Sequence, residues 1–261
     1  MAPVDTAYSP YDKTTTSSRS TFHGGNAVLM AAEQVKEQLL GLVAKHFGVS
    51  LDEMEYVDGL MRCKTDKSKA IHINEIEKSG ILKEQPPVIG NGTFSTLDLY
   101  DKPDFHTRQS KRPTVMWMFG AQAAISEVDP ATGQIRLKTI GAAHDVGFAI
   151  NPLGCLQQIE GSIIMGLGHA LLEEMIYEKG ILKNGNMVDY KVPTFQDADV
   201  EMKISLVEKN HPDGPFGAKG IGEPGICPVA AAIVNSVNAA CQANFNSIPI
   251  KPEHILLRGE G

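Results

Sequence analysis

The chain has 261 residues, 42% of them apolar, enough to bury a core in one large or two modest domains. A formal charge of −7 argues against a nucleic-acid partner, because polyanion binding is driven by Lys and Arg neutralising phosphates. No stretch supplies the ~20 consecutive apolar residues that cross a bilayer, and no leader-like apolar run opens the chain. Cys63, Cys155, Cys227 and Cys241 are scattered singly, without the CxxC spacing that lets two thiolates grip one metal, so no iron–sulfur or zinc site is expected on this chain alone. A cytoplasmic protein with reduced cysteines is the expectation.

Residues 1 to 23 are polar and rich in Thr and Ser, the composition of an irregular segment. From Asn26 to about His46, Val28, Ala31, Val35, Leu39, Leu42 and Val43 recur at helical spacing and predict an amphipathic helix. Met54 to Met61 and Ala70 to Ile73 read as strands, and Asn74 to Glu77 as a short helix behind an Asn cap. Residues 80 to 113, punctuated by Pro and Gly, read as a loop-rich crossing. Thr114 to Val128 and Gln134 to Ile140 flank Asp129-Pro-Ala-Thr-Gly133, which predicts a hairpin, with Trp117, Met118 and Phe119 read as core. A helix is expected from about Leu156 to Tyr177 on the stripe Ile159, Ile163, Leu167, Leu171, Leu172 and Met175, with Gly166 and Gly168 allowing close approach. A strand follows from Val200 to Val207, and a third helix from Pro228 to about Ala243. Blocks of helix and antiparallel strand point to an α+β fold, with two subdomains at about 1–112 and 113–261.

Two segments concentrate groups that bind ligands. Between the last strand and helix, Gly217, Gly220, Gly222 and Gly225 surround one base, Lys219, and one acid, Glu223. Glycines at this density admit a ligand close to the backbone, and an exposed connection with solvated charges is the plainer alternative. The phosphate-loop pattern GxxxxGK[ST] is absent. Ahead of the first helix, Thr14 to Thr21 gathers hydroxyls and the guanidinium of Arg19 where a helix start favours anions, although a Ser/Thr linker with a cap has the same composition. Gln157 and Gln158 open the best helix, where a carboxamide can address a planar heterocycle or merely face solvent. His23, His144 and His169 are isolated from one another, which disfavours any as a metal ligand.

Three stretches, TTTSSRSTFHGGNAV (14–28), DVGFAINPLGCLQQIEGSIIMGLGHALLEE (145–174) and GAKGIGEPG (217–225), resemble in order and separation the molybdenum-binding subunits of the xanthine dehydrogenase and aldehyde oxidoreductase group. The likeness runs from about Asp5 to Leu257 and corresponds to the carboxy-terminal part of the family's molybdopterin-binding region. It implies Glu223 as general base, Thr16 and Ser17 beside the molybdenum, Ser18 and Arg19 on the pterin or its phosphates, and Gln158 on the pterin. Gly217, Ala218, Lys219 and Gly220 would form a backbone cradle, with Lys219 helping to keep Glu223 charged if the loop folds back. No residue is expected to ligate molybdenum directly; the pterin would hold it.

The resemblance further implies oxidation of an N-heteroaromatic, purine- or nicotinate-like substrate, or of an aldehyde, with water as the oxygen source. The cofactor would be a molybdopterin with molybdenum, in its cytosine dinucleotide form. Expected partners are a larger or N-terminal molybdopterin-binding subunit, an iron–sulfur subunit carrying [2Fe-2S] and an FAD subunit. A molybdenum-dependent aromatic thioester reductase subunit and a non-catalytic scaffold half-subunit are the alternatives.

Overall fold

In the computed structural model of the protein the described residues are 5, 7 and 14–257, so most of the polar segment expected at 1–13 lies outside them. The chain divides into two compact units, one comprising 23–113 and the other 114–261 together with the segment ending at Phe22. Residues 14–22, placed with the first subdomain from the sequence, therefore belong with the second. Phe22 is fully buried there, with its ring edge-on to His211 at 5.2 Å.

In the 23–113 unit, helix α1 (Gly25–Phe47) ends at Gly48, whose left-handed backbone returns its N–H to the carbonyls of Ala44 and Lys45. Its buried face of Leu39, Val43 and Ala44 packs on Met54, Met61, Cys63, Ile76 and Ile81. Strands β1 (Met54–Val57), β2 (Leu60–Cys63) and β3 (Ala70–His72) form an antiparallel sheet in that order. The single strand expected over Met54–Met61 is thus a hairpin, folded at Asp58-Gly59, both with positive φ. The helix expected at Asn74–Glu77 is a 3-10 turn at Ile73–Glu75, capped by the His72 ring, which accepts from the Asn74 N–H. Residues 80–113 contain turns and no strand or helix, as their Pro and Gly content predicts.

In the other unit, β4 (Gly120–Val128) and β5 (Ile135–Asp145) form the expected hairpin. After helix α2 (Pro152–Leu171) and a two-residue-stranded hairpin of β6 (Tyr177–Glu178) and β7 (Ile181–Leu182), β8 (Glu201–Val207) pairs with β5 in parallel. The α+β expectation stands, but its sheets are not all antiparallel. Parallel pairing needs a long crossover, and α2 lies within it. Helices α3 (Val229–Cys241) and α4 (Pro252–Leu256) complete the unit.

The core forms where Ile159, Ile163 and Leu167 of α2 meet Val229, Ile233 and Val237 of α3 over Leu137 and Ile140 of β5. Each such side chain, once buried, contributes on the order of 1.5–3 kcal/mol. Two expectations fail here for local reasons. Helix α2 stops at Leu171 because the Asn184 side chain takes over the backbone beyond it, accepting from Ile176 N–H at 2.9 Å and donating to the Glu174 carbonyl at 2.6 Å. Met175 is consequently 60% exposed. Trp117 and Phe119 precede the strand and are 61% and 70% exposed, leaving Met116 as the buried residue of that stretch. Their carbonyls face inward instead, accepting from Lys219 Nζ and the Asp145 N–H.

Candidate active site

The end of β5 and the glycine-rich loop are laced together. Lys219 N–H donates to the Val146 carbonyl at 2.9 Å, and Phe148 N–H to that of Gly217 at 3.0 Å. Beneath them the Lys219 ammonium is buried, 2.6 Å from Asp145 Oδ2 and 2.9 Å from the Trp117 carbonyl, while Asp145 Oδ1 accepts from the Gly147 N–H. Burial pushes the Asp145 carboxyl up, but hydrogen bonds from Lys219 and Gly147 and the ammonium charge outweigh it, so its pKa lies below the ordinary carboxylate value. Lys219 is therefore committed to Asp145 and does not serve Glu223, contrary to the sequence expectation.

The expected backbone cradle is also largely closed. Gly217, Ala218 and Lys219 direct their N–H groups to the carbonyls of Gly214, Pro215 and Val146. Gly220 has a different reason to be glycine: a Cβ there would overlap the Ser18 carbonyl.

Glu223 stands at the exposed tip. Ser18 Oγ accepts from the Glu223 N–H at 2.7 Å and donates to Glu223 Oε2 at 2.9 Å. This reciprocal clasp depends on an unusual backbone, since Ser17 and Ser18 both have left-handed φ, 54° and 53°. Gln158, on the first turns of α2, donates from Nε2 to the Gly222 carbonyl at 2.6 Å. That helix start is set by Asn151, whose side chain accepts from the Gly154 N–H, and by Pro152 in the first turn.

These contacts bound a cleft of about 390 Å³ lined on its polar side by Thr15, Ser18, Ser20, Thr21, Asn151 and Gln158 and, over more of its surface, by apolar residues that include Val146, Phe148, Ile150 and Ile221. Ala218 and Lys219 also line it, and Glu223 stands at its margin through Ser18. Thr16, Ser17 and Arg19 do not line it, and Arg19 donates to the Thr14 carbonyl within its own segment. Within this segment the backbone passes through the left-handed φ of Ser17 and Ser18, a conformation that the sequence did not announce. Among the described residues no three His, Cys, Asp or Glu side chains gather to hold a metal ion. Nor is any helix among them long and apolar enough to cross a membrane.

Asp145 escaped the sequence reading as a residue of this site, as did the contact of Gln122 with the loop at the Gly225 carbonyl. A signal existed for Asp145: it and Lys219 each sit in apolar or glycine-rich surroundings with no opposite charge adjacent in sequence. Gln122 carries no comparable mark.

Residues 1–199 match the family model described as a molybdopterin cofactor-binding domain. The xanthine dehydrogenase molybdenum-binding subunit of Escherichia coli O157:H7 is 30% identical over 264 residues, covering 98% of this chain and 32% of that protein. The 6-hydroxypseudooxynicotine dehydrogenase complex subunit gamma of Paenarthrobacter nicotinovorans is 30% identical over 250 residues, 94% of this chain and 30% of that one. Among solved structures, the Cu,Mo-CO dehydrogenase shares the fold at a TM-score of 0.80 and 24% identity, covering 98% of this chain and 31% of that chain. The chain spans about a third of the length of the curated relatives it matches. It belongs to the molybdopterin cofactor-binding domain family.

Proposed function

We propose that this chain, completed by further molybdopterin-binding polypeptide, forms the catalytic part of a molybdenum hydroxylase that oxidises an N-heteroaromatic or aldehyde substrate with water as oxygen source. The observation that carries the reading is the convergence of three distant segments: Ser18, Gln158 and Glu223 meet through hydrogen bonds at one cleft. Hydroxyls and carboxamides can both donate and accept, and backbone carbonyls accept, which fits the heteroatoms of a pterin; the hydroxyl and amide donors suit the oxygens of its phosphates. Thr15, Ser18, Ser20, Thr21, Asn151 and Gln158 are the residues that would hold it. When bound, the molybdenum cofactor supplies the two-electron oxidation.

The protein's own chemical contribution is Glu223. With Oε2 engaged by the Ser18 hydroxyl, the carboxylate keeps a fixed orientation and offers Oε1 to receive a proton as the substrate is oxidised. Lys219 and Asp145 neutralise each other below the loop and keep its root in place. Electrons leave through [2Fe-2S] and FAD on partner subunits, a reading supported by relatives whose names are those of subunits. The cytosine dinucleotide form of the pterin and a cytoplasmic location complete the proposal; cysteines scattered singly along the chain suit a reducing compartment.

The test is molybdenum and released nucleotide per chain, measured on the complex isolated with its partners, beside oxidation of hypoxanthine and benzaldehyde with a dye acceptor. About one molybdenum and one cytidine monophosphate per chain, with turnover of either substrate, is expected. Absence of molybdenum from an intact, cofactor-supplied complex would leave the scaffold alternative in its place.

A further inference from the structure

Under the Glu223 loop lies a buried polar pair that the site described above does not use. His144, 1% exposed on β5, faces Gln122 on the neighbouring strand, with His144 Nε2 2.9 Å from Gln122 Nε2. The same Gln122 nitrogen donates at 2.8 Å to the carbonyl of Gly225, two residues beyond Glu223. Gly225 O can only accept, so the amide must present its nitrogen there. Its second hydrogen then points to the ring, and His144 Nε2 must accept. The imidazole is therefore neutral with its proton on Nδ1, in agreement with burial, which pushes its pKa below the ordinary histidine value.

This arrangement is kept at a cost. His144 Nδ1 and Gln122 Oε1 are buried and have no hydrogen-bond partner among the described residues. An unsatisfied buried polar group costs about 1–3 kcal/mol, and an apolar pair at these positions would avoid it. Gly120, opposite His144, is also constrained, because a Cβ there would overlap the imidazole. The polar pair is the feature that reaches the loop, through one bond to Gly225.

We propose that Gln122 and His144 are positioning residues for Glu223: the imidazole orients the Gln122 amide, and the amide holds the Gly225 carbonyl, fixing the turn that carries the carboxylate. With Gln158 on Gly222 and Ser18 on Glu223, the tip of the loop is then held at three successive points. The inference rests on the reading of Glu223 as the general base only for its catalytic consequence; the structural coupling stands on its own.

The discriminating experiment compares His144→Leu with His144→Gln in the purified complex, reading hydrogen–deuterium exchange of the 220–226 segment. Gln places an acceptor near the position of Nε2, whereas Leu fills the space without one. Positioning predicts exchange about tenfold faster in His144→Leu and close to wild type in His144→Gln. A packing role predicts the reverse order, since a buried Leu is tolerated better than a buried Gln, and that order, or equal exchange in both, overturns the proposal. Gln122→Leu, at a half-buried strand position, gives a second reading should the His144 variants not fold: faster exchange at 220–226 is expected, and unchanged exchange contradicts the coupling. In turnover assays the Leu variants should lower kcat about tenfold with KM and molybdenum content unchanged. If Glu223→Gln proves fully active while exchange behaves as predicted, the general-base reading fails and the coupling survives. If Glu223→Gln is inactive and exchange is unaffected by these variants, only the coupling fails.

Discussion

Lys219 and Glu223 lie four residues apart in one glycine-rich loop, and the structure gives them opposite surroundings. At the root, Lys219 is buried against Asp145 and the Trp117 carbonyl, and its charge is used up in holding the loop to the end of β5. At the tip, Glu223 is exposed, and the Ser18 hydroxyl engages its N–H and its carboxylate at Oε2. The difference teaches that a charge in a glycine-dense loop is defined by what lies under it: a buried partner makes it structural, and an exposed position leaves it available for the role proposed for Glu223.

The largest effect should follow from breaking the root. Lys219→Met strands the Asp145 carboxylate in the interior and should destabilise the fold by about 3–5 kcal/mol, measurable by denaturant unfolding; adding Asp145→Leu should recover much of that loss. A smaller effect is expected at the contact between root and tip. Gly220→Ala forces the backbone away from the Ser18 carbonyl and should cost about 1–3 kcal/mol while also reducing turnover. Ser18→Ala removes the clasp on Glu223 and should lower kcat about tenfold with melting temperature little changed, because the contact is solvent-exposed.

The gentlest probe is pH. His144 has a folded pKa below its unfolded value, so the unfolded chain binds more protons and stability falls as pH drops below about 6.5. Asp145, also depressed, contributes stability above its unfolded pKa of about 4, and that contribution is lost as pH falls further through the folded pKa. Unfolding curves across this range should show both declines, and His144→Gln should abolish only the first.

Elements built on long apolar periods were legible in the sequence: α1, α3 and β8 appear where their patterns place them, and α2 and the β4–β5 hairpin appear with shifted ends. What was not legible depended on contacts remote in sequence. The parallel pairing of β8 with β5 leaves no local mark, and the early end of α2 is set by Asn184, a side chain 13 residues beyond Leu171. At the site, the three motifs identified the segments that converge, but not which hydroxyls face the cleft. The lining residues Thr15, Ser18, Ser20 and Thr21 follow no simple period, and the segment passes through two serines with left-handed φ that residue identity alone does not announce. Lys219 was misread for the same reason, since its partner lies 74 positions away.

The most direct measurement is turnover of the molybdenum-loaded complex carrying Glu223→Gln, with metal content and melting temperature determined on the same sample. The account predicts unchanged metal and stability with turnover reduced by about 10²- to 10⁴-fold, the loss expected of a general base. Near-normal turnover with full metal content would contradict it.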